Sequence, residues 1–251
     1  QIARVHGFFE EDVYRAEGAL SAAVLEKLRC GILRELVCRG TSVGLAAHFD
    51  ALLAALRAPS CQLRELRLVG CDWPEGRALP ELVDALPARG LKVLNVESMQ
   101  VGGALPAALF EKCAEAELVD LCSMGLTGCI PASVGKCVKV KRLIMWGNQL
   151  EGGIPDELGE CAAIEILCLQ QNALTAPVPA SLGKCTKLKV LYLFDNQLEG
   201  AVPASALAKL TALTQLVLHE NESLTITASG KQEIKHAAPK AQFGWPRVIN
   251  I

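Results

Sequence analysis

Cysteines are the residues in this sequence whose type and regular spacing could support disulfide or thiol chemistry. Four of its eleven cysteines, at positions 113, 137, 161 and 185, follow one another at intervals of 24 residues. If each interval is one unit stacked on the next, neighbouring thiols lie about 4.8 Å apart with parallel side chains, whereas a disulfide brings its Cβ atoms to about 3.8 Å. The spacing therefore predicts a buried ladder of reduced thiols, which we name the thiol ladder: Cys113, Cys137, Cys161 and Cys185.

Gly-Lys-Cys occurs at Gly135 and again at Gly183, and its Gly-Lys pair is similar to the end of a phosphate-binding loop. A phosphate-binding loop needs a glycine five residues before the Gly-Lys pair and a serine or threonine after the lysine. Those earlier positions hold Ile130 and Val178, and cysteine follows each lysine. The motif is therefore typical of a repeated structural turn.

Catalytic and metal-binding motifs are not found. The four histidines, His6, His48, His219 and His236, form no HExxH motif, the sequence has no GxSxG motif, and no CxxC pair or Cys/His cluster has zinc-ligand spacing. The carboxylates are scattered, so no acid–base pair is isolated. We expect no catalytic residue, no cofactor and no metal ligand, and hence no enzyme. A hydrolase or transferase stays open only if its active site is assembled from residues that no motif reveals.

Charge and hydropathy narrow the choice of partners. The 25 basic residues nearly balance the 27 acidic ones, and no run of lysine or arginine could follow a phosphate backbone. No apolar run reaches the roughly 18–20 residues of a membrane span. The sequence from Gln1 onward shows no targeting pattern. We expect no nucleic-acid partner and no transmembrane segment in this chain.

The elements that position these residues come from an internal repeat. Four leucines recur at intervals of 24 residues. Each of them is followed, four residues later, by an Ile-Pro or Val-Pro pair, beginning with Ile130-Pro131. A fixed period in the twenties is typical of a solenoid, in which each unit buries its apolar surface against its neighbours. The leucines that keep the 24-residue register are Leu126, Leu150, Leu174 and Leu198.

Within each period the pattern LxxLxLxxNxL predicts one strand. It occurs as VKRLIMWGNQL, IEILCLQQNAL and LKVLYLFDNQL. Leucines such as Leu143 alternate with residues such as Ile144, so one set faces the core and the other faces outward. Stacked units would form one parallel sheet. The asparagines that end these strands are expected to bond backbone groups inside the bend: Asn148, Asn172 and Asn196.

This pattern, together with LxGxIPxxLGxC, resembles the leucine-rich repeat of the plant type found in receptor-kinase ectodomains and polygalacturonase inhibitors. The resemblance covers about 100 residues, with departures at Met124 and Ala176. Two longer coils from Leu33 and Leu63 resemble repeats of the ribonuclease-inhibitor type, with Cys71 at the ladder position. The resemblance implies an α/β solenoid, a leucine-rich-repeat horseshoe with one parallel β-sheet on the concave face and helices or turns on the convex face.

We expect a single leucine-rich-repeat domain over residues 1–251, because a solenoid grows by adding units that contact only their neighbours. The apolar residues of positions 10–30 recur at helical spacing and predict an amphipathic helix, with Gly31 as its C-terminal cap. Phe243 lies 25 residues after Leu218 and should share its strand register, and Pro246 should stop further pairing. The predicted parts are an N-terminal helical cap at 1–32, helix-backed repeats at 33–90, mostly 24–25-residue repeats at 91–223 and a C-terminal cap at 224–251.

The alternation also predicts which residues face outward on the concave sheet. In the early coils they are mainly charged, for example Arg39 and Arg67, whereas in the later coils they are mainly apolar or aromatic. A patch of this kind exceeds what monomers usually expose. We name it the concave patch and predict that it binds a partner: Leu118, Ile144, Trp146, Ile166, Cys168, Tyr192, Phe194, Val217 and His219.

Two functions fit these features. The first is a non-catalytic protein–protein interaction module or accessory scaffold subunit that docks through its concave face, within a large multisubunit complex. The alternative, which the resemblance implies, is a ligand-sensing receptor ectodomain. The paired cysteines that flank many secreted plant-type repeats are missing, which favours an intracellular reducing compartment, in cytoplasm or an organelle. The sequon at Asn221 is expected to be buried at a ladder position and unglycosylated.

Overall fold

Ten parallel strands form the main sheet in the computed structural model, which describes residues 13–16 and 20–249. One strand comes from each coil of the solenoid, and neighbours in space are consecutive coils, as the repeat predicts. The first five strands of the chain all belong to this sheet: β1 (Val13–Ala16), β2 (Glu35–Arg39), β3 (Glu65–Val69), β4 (Val93–Glu97) and β5 (Leu118–Asp120).

From the 24-residue coils onward, strands of the main sheet alternate along the chain with strands of two smaller parallel sheets. The main sheet continues through β7, β9, β11, β13 and β15, whereas β6, β8 and β10 form one three-stranded sheet and β12, β14 and β16 form another. The smaller sheets were not predicted. The ranges are β6 (Thr127–Cys129), β7 (Arg142–Ile144), β8 (Gln149–Gly152), β9 (Ile166–Cys168), β10 (Ala173–Leu174), β11 (Val190–Tyr192), β12 (Glu199–Ala201), β13 (Gln215–Val217), β14 (Ser223–Thr227), β15 (Gln242–Gly244) and β16 (Arg247–Ile249).

In the longer coils, helices connect one strand of the main sheet to the next. In the 24-residue coils the connection is too short for such a helix, and a 3-10 turn takes its place. None of the described helices is long and apolar enough to cross a membrane. The α-helices are α1 (Ala22–Arg29), α2 (Leu45–Leu56), α3 (Leu79–Ala85), α4 (Ala108–Lys112), α5 (Ala204–Leu207) and α6 (Ala228–Ala237). The 3-10 turns lie at Thr41–Val43, Ala132–Lys136, Asp156–Glu160 and Ala180–Lys184.

The N-terminal prediction is partly wrong. The helical spacing placed one helix over 10–30, but Val13–Ala16 form β1, which pairs in parallel with β2 as the first strand of the main sheet. The helix is shorter, α1, with Ser21 as its N-cap, and it packs beside α2 as the helix of its own coil. Gly31 has φ +73° at the helix end, as a C-terminal cap requires. Residues 10–12 and 17–19 lie outside the described residues.

The C-terminal closing coil exists, but its register is different. Phe243 pairs with Leu216 and not with Leu218, a shift of two residues that keeps the same face of the strand inward. Pro246 does not end the pairing, because the chain continues into β16, which pairs with β14. A proline can precede a strand, since it lacks only its own N–H donor.

Asparagines at the ends of the strands hold consecutive coils together. Asn148 Nδ2 donates to the carbonyl oxygen of Met145 in its own coil and to that of Leu121 in the preceding coil. Asn221 is 3% exposed and makes the same kind of bonds, to Leu193 and Leu218. The sequon asparagine is therefore inside, as expected.

The thiol ladder is buried and reduced. Three of the four thiols donate to a carbonyl one coil back: Cys137 Sγ lies 3.4 Å from Phe110 O, Cys161 Sγ lies 3.4 Å from Val134 O, and Cys185 Sγ lies 3.6 Å from Leu158 O. All eleven cysteines of the chain are free. Burial raises the pKa of the Cys161 thiol to about 12, so these thiols stay protonated and unreactive.

Gly-Lys-Cys is a packing turn, as the sequence predicted. A Cβ atom on Gly135 would lie 2.6 Å from the carbonyl oxygen of Glu157 in the next coil, and one on Gly183 would lie 2.5 Å from that of Ala206. Both glycines are needed because the backbones of stacked coils approach closely at this turn.

Candidate protein-binding surface

Three columns of side chains run across the concave sheet, because parallel strands in register place equivalent residues side by side. One column contains Asp120, Ile144, Cys168, Tyr192 and Val217, which are successive Cα partners. Each of these residues alternates with core residues along its strand. The concave patch therefore lies where the alternation places it.

The other two columns flank this one. The column formed by the first residue of each strand contains Leu118, Arg142 and Ile166, so a guanidinium interrupts its apolar residues. The third column begins just after the strands and contains Trp146, Gln170, Phe194 and His219, whose carbonyl groups accept backbone N–H bonds from the preceding coil.

Part of the concave patch forms an apolar cluster of its own, separate from the core. Ile144 and Cys168 are each only 8% exposed although they point away from the core. They are covered by Trp146, Ile166 and Tyr192, which pack against them on the outer side of the sheet. Cys122 also belongs to this cluster and was not among the predicted patch residues, although it lies 24 residues before Trp146.

Aromatic rings continue the patch toward the C-terminus. The ring centroids of Tyr192 and Phe194 lie 6.1 Å apart in an edge-to-face arrangement. The rings of Phe194 and His219 lie 5.2 Å apart at 31°. The Tyr192 hydroxyl donates to Gln215, which fixes its direction. These contacts hold the rings in place before any partner arrives.

One polar side-chain atom beside the concave patch lacks a partner among the described residues. The Oε1 atom of Gln170 is buried and accepts no hydrogen bond from the described residues. Gln170 lies in the third column between Trp146 and Phe194. A buried amide oxygen without a donor costs free energy, so a ligand that supplies an N–H group here would remove this cost.

The early part of the concave face is polar, as predicted, and Arg67 lies 3.0 Å from Glu65 there. At the border with the patch, the structure brings together Glu97, Asp120 and Cys122, whose side-chain oxygen and sulfur atoms lie within 4.8 Å of one another. Burial and the nearby Glu97 carboxylate raise the pKa of Asp120. No local motif predicts this group, because Glu97 comes from the coil before that of Asp120 and Cys122.

Comparisons with known proteins agree with this fold. A family model described as Leucine Rich Repeat matches residues 139–161. No curated protein matches the sequence. Among solved structures, the complex titled PEPR1-AtPEP1 superposes with a TM-score of 0.69 at 24% identity over 95% of this chain, and a TDR receptor with 0.68 at 18% over 93%. With its repeats and its parallel sheet, the chain is a leucine-rich-repeat protein.

A third similar structure is the ectodomain of the Arabidopsis receptor kinase HAESA in complex with an N-terminally extended IDA peptide hormone ligand. Its TM-score is 0.65, its identity 26%, and it covers 79% of this chain. This chain spans 32% of the HAESA chain, 34% of the PEPR1 chain and 37% of the TDR chain. It therefore corresponds to about a third of the length of these proteins.

The expected intracellular reducing compartment is contradicted by two of these structures: one is a receptor and the other is a receptor-kinase ectodomain, which lies outside the cell. The physical reason for the error is the burial of the thiols. A thiol such as Cys113, which is fully buried and whose pKa is raised to about 12, resists oxidation in any compartment. The absence of disulfides therefore does not report the redox state outside the protein.

Proposed function

We propose that this chain is a non-catalytic binding module that takes up a polypeptide on its concave patch, as a ligand-sensing ectodomain does. The single observation that carries this proposal is the apolar cluster on the outer side of the sheet, formed around Ile144 and Cys168 and separate from the core. A core cluster needs no ligand. The residues that cover this outward-facing cluster, Trp146, Ile166 and Tyr192, are only partly buried and gain burial when a partner covers them.

The aromatic residues of the patch supply the binding energy. Trp146 and Phe194 lie two coils apart in one column, about 10 Å from each other by strand spacing. Each ring can bury about 150–250 Å². Anchors of this type near the centre of an interface dominate its free energy of binding.

The proposed occupant is an extended, largely apolar segment with a basic residue at one end. Its N–H groups would satisfy Gln170 Oε1. Its basic residue would face Asp195 and Glu220, two exposed carboxylates that follow the third column. Glu220 lies 3.6 Å from His219 Nδ1, and Asp195 makes no ion pair within the described residues. The charge at this end of the patch is therefore available to a cationic ligand.

The ectodomain alternative is better supported than the accessory subunit of a large complex. The HAESA structure holds a peptide hormone ligand, and no observation points to a multisubunit assembly. Two of the similar structures, the TDR receptor and the HAESA ectodomain, belong to receptors.

The test is a selection of displayed random peptides on the immobilised chain. We expect enriched peptides to be apolar with a basic end. The double variant Trp146→Glu/Phe194→Glu should abolish their binding and leave the urea midpoint nearly unchanged, because these side chains lie outside the core. Asp195→Lys should weaken binding most at low salt.

The matched control is Lys141→Glu with Lys187→Glu, two charge changes at exposed lysines outside the patch columns. This control should bind the selected peptides as the wild type does. If the double aromatic variant still binds them while folded, the ligand site lies elsewhere and the proposal is wrong.

A further inference from the structure

Three side chains from two neighbouring coils converge at the border of the concave patch. Cys122 Sγ lies 3.2 Å from Glu97 Oε2. The backbone N–H of Cys122 donates to Asp120 Oδ1 at 3.2 Å, which turns this carboxylate toward the same place. Asp120 is 8% exposed and Cys122 is 3% exposed, whereas Glu97 is half-buried.

The negative charge of this group is not neutralised by contact. Among the described residues, no lysine, arginine or histidine lies within ion-pair distance of Glu97 or Asp120. Arg142, on the next coil, favours the ionised form of Asp120 electrostatically but forms no ion pair with it. Two carboxylates held this close, one of them buried, are stabilised when a cation lies between them.

A second observation points to the same ligand. Asn95 is the Cα partner of Asp120 across β4 and β5, so its side chain leaves the same face of the sheet beside that carboxylate. Asn95 is 9% exposed, and its Oδ1 atom accepts no hydrogen bond from any residue that the structure describes. Its Nδ2 atom lies 3.4 Å from Glu97 Oε1. A buried amide oxygen without a donor is a natural ligand for a cation.

From these contacts we propose a divalent transition-metal site, of the zinc class, formed by Glu97, Asp120 and Cys122 with Asn95 beside them. A thiolate ligand disfavours magnesium and calcium, which prefer oxygen, and favours zinc. Zinc–sulfur and zinc–oxygen bonds of about 2.3 and 2.0 Å at a tetrahedral angle place the two ligand atoms about 3.5 Å apart. The measured separation of Cys122 Sγ and Glu97 Oε2 is close to this value.

Cobalt(II) is the probe, because its thiolate complex absorbs in the near ultraviolet and its tetrahedral complex absorbs in the visible. The chain carries other accessible thiols, so the experiment uses the background Cys30→Ser/Cys129→Ser, which removes the two exposed cysteines. We expect a band that saturates at one equivalent of Co²⁺ and is displaced by Zn²⁺.

Variants then assign the ligands. Cys122→Ala should abolish the near-ultraviolet band, and the isosteric changes Glu97→Gln and Asp120→Asn should each weaken Co²⁺ binding at least tenfold. Asn95→Leu should weaken it less. Cys161→Ala, which removes a buried thiol of the thiol ladder far from this group, should leave the band unchanged.

Two results would overturn the site. One is the absence of a band that saturates at one equivalent of Co²⁺ in the Cys30→Ser/Cys129→Ser protein. The other is a band that survives Asp120→Asn and Glu97→Gln in folded protein, checked by circular dichroism, since these variants change no volume. The metal site does not depend on peptide binding. A failure of the Co²⁺ experiment would therefore leave the proposed function untouched, and a failure of the peptide selection would leave the metal site untouched.

Discussion

The side chain of Asn148 accepts a hydrogen bond from the backbone N–H group of Met124, one coil back. Met124 occupies the ladder position of its coil, where the next coils have asparagine, and the Oδ1 atom of Asn148 accepts from the backbone N–H groups of both Met124 and Leu126 at 3.0 Å. Asn172, one coil later, accepts only from Leu150. Asn148 therefore accepts two backbone N–H bonds from the preceding coil, one more than Asn172 accepts.

Asn148→Ala is expected to destabilise the chain more than Asn172→Ala. The first variant leaves two backbone N–H groups of the preceding coil without an acceptor and the second leaves one, and each buried unsatisfied group costs about 1–3 kcal/mol. The difference should appear in urea unfolding midpoints at equal slope. Equal midpoints for the two variants would show that Met124 does not depend on Asn148.

Gly159→Ala should destabilise the chain by about 1–3 kcal/mol through overpacking. A Cβ atom there would lie 2.6 Å from the carbonyl oxygen of Ser181 and 2.9 Å from its Cβ, so two coils must separate. The control is Gly153→Ala in the same coil, whose nearest neighbour would be the Ala176 Cβ at 3.1 Å. Thermal or urea unfolding measures both variants. A loss as large in the control would refute the role of close approach.

The thiol ladder predicts a loss of stability in alkali. Burial raises the pKa of Cys113 to about 12 and that of Cys185 to about 11, whereas an unfolded thiol ionises near a pKa of about 8.5. Above that pH the unfolded chain holds fewer protons than the folded chain, so the free energy of unfolding falls as the pH rises. The stabilisation that the protonated ladder thiols contribute should be present in full below about pH 8.5. It should decrease as the pH rises toward about 11.

Urea midpoints measured across this range test the ladder. Replacing one ladder thiol, Cys161→Ala, should make the decrease with pH shallower, and replacing the exposed thiol Cys129 by alanine should leave it unchanged. In the native protein, an alkylating reagent should modify Cys129 and Cys30 and spare the ladder. Rapid modification of Cys161 without denaturant would contradict the burial argument.

Gln170→Leu should raise the stability of the chain and weaken its binding of peptides. The change removes a buried amide oxygen that lacks a donor, so the urea midpoint should rise, by about 1 kcal/mol in the free energy of unfolding. The same change should weaken peptides selected on the concave patch, because their N–H groups lose an acceptor. Gln149→Leu, at an exposed position, is the control for added hydrophobicity. A Gln170→Leu variant that is less stable than the wild type would show that this oxygen is satisfied.

Local rules determined most of the repeat. The alternation of Leu143 with Ile144 depends only on the geometry of a strand, and the 24-residue step repeats that geometry in each coil. The inward and outward faces, the parallel sheet, the thiol ladder and the position of the concave patch could therefore all be predicted from the sequence alone.

Tertiary structure decided what depends on the neighbouring coil. Val13–Ala16 have helical spacing yet form a strand, because β2 presents an edge to pair with. Phe243 pairs two residues away from its expected partner because alternation specifies a face and not a register. The group of Glu97, Asp120 and Cys122 forms for the same reason: residues more than 20 positions apart meet only when their coils stack, and no local pattern records which side chains that stacking leaves without a partner.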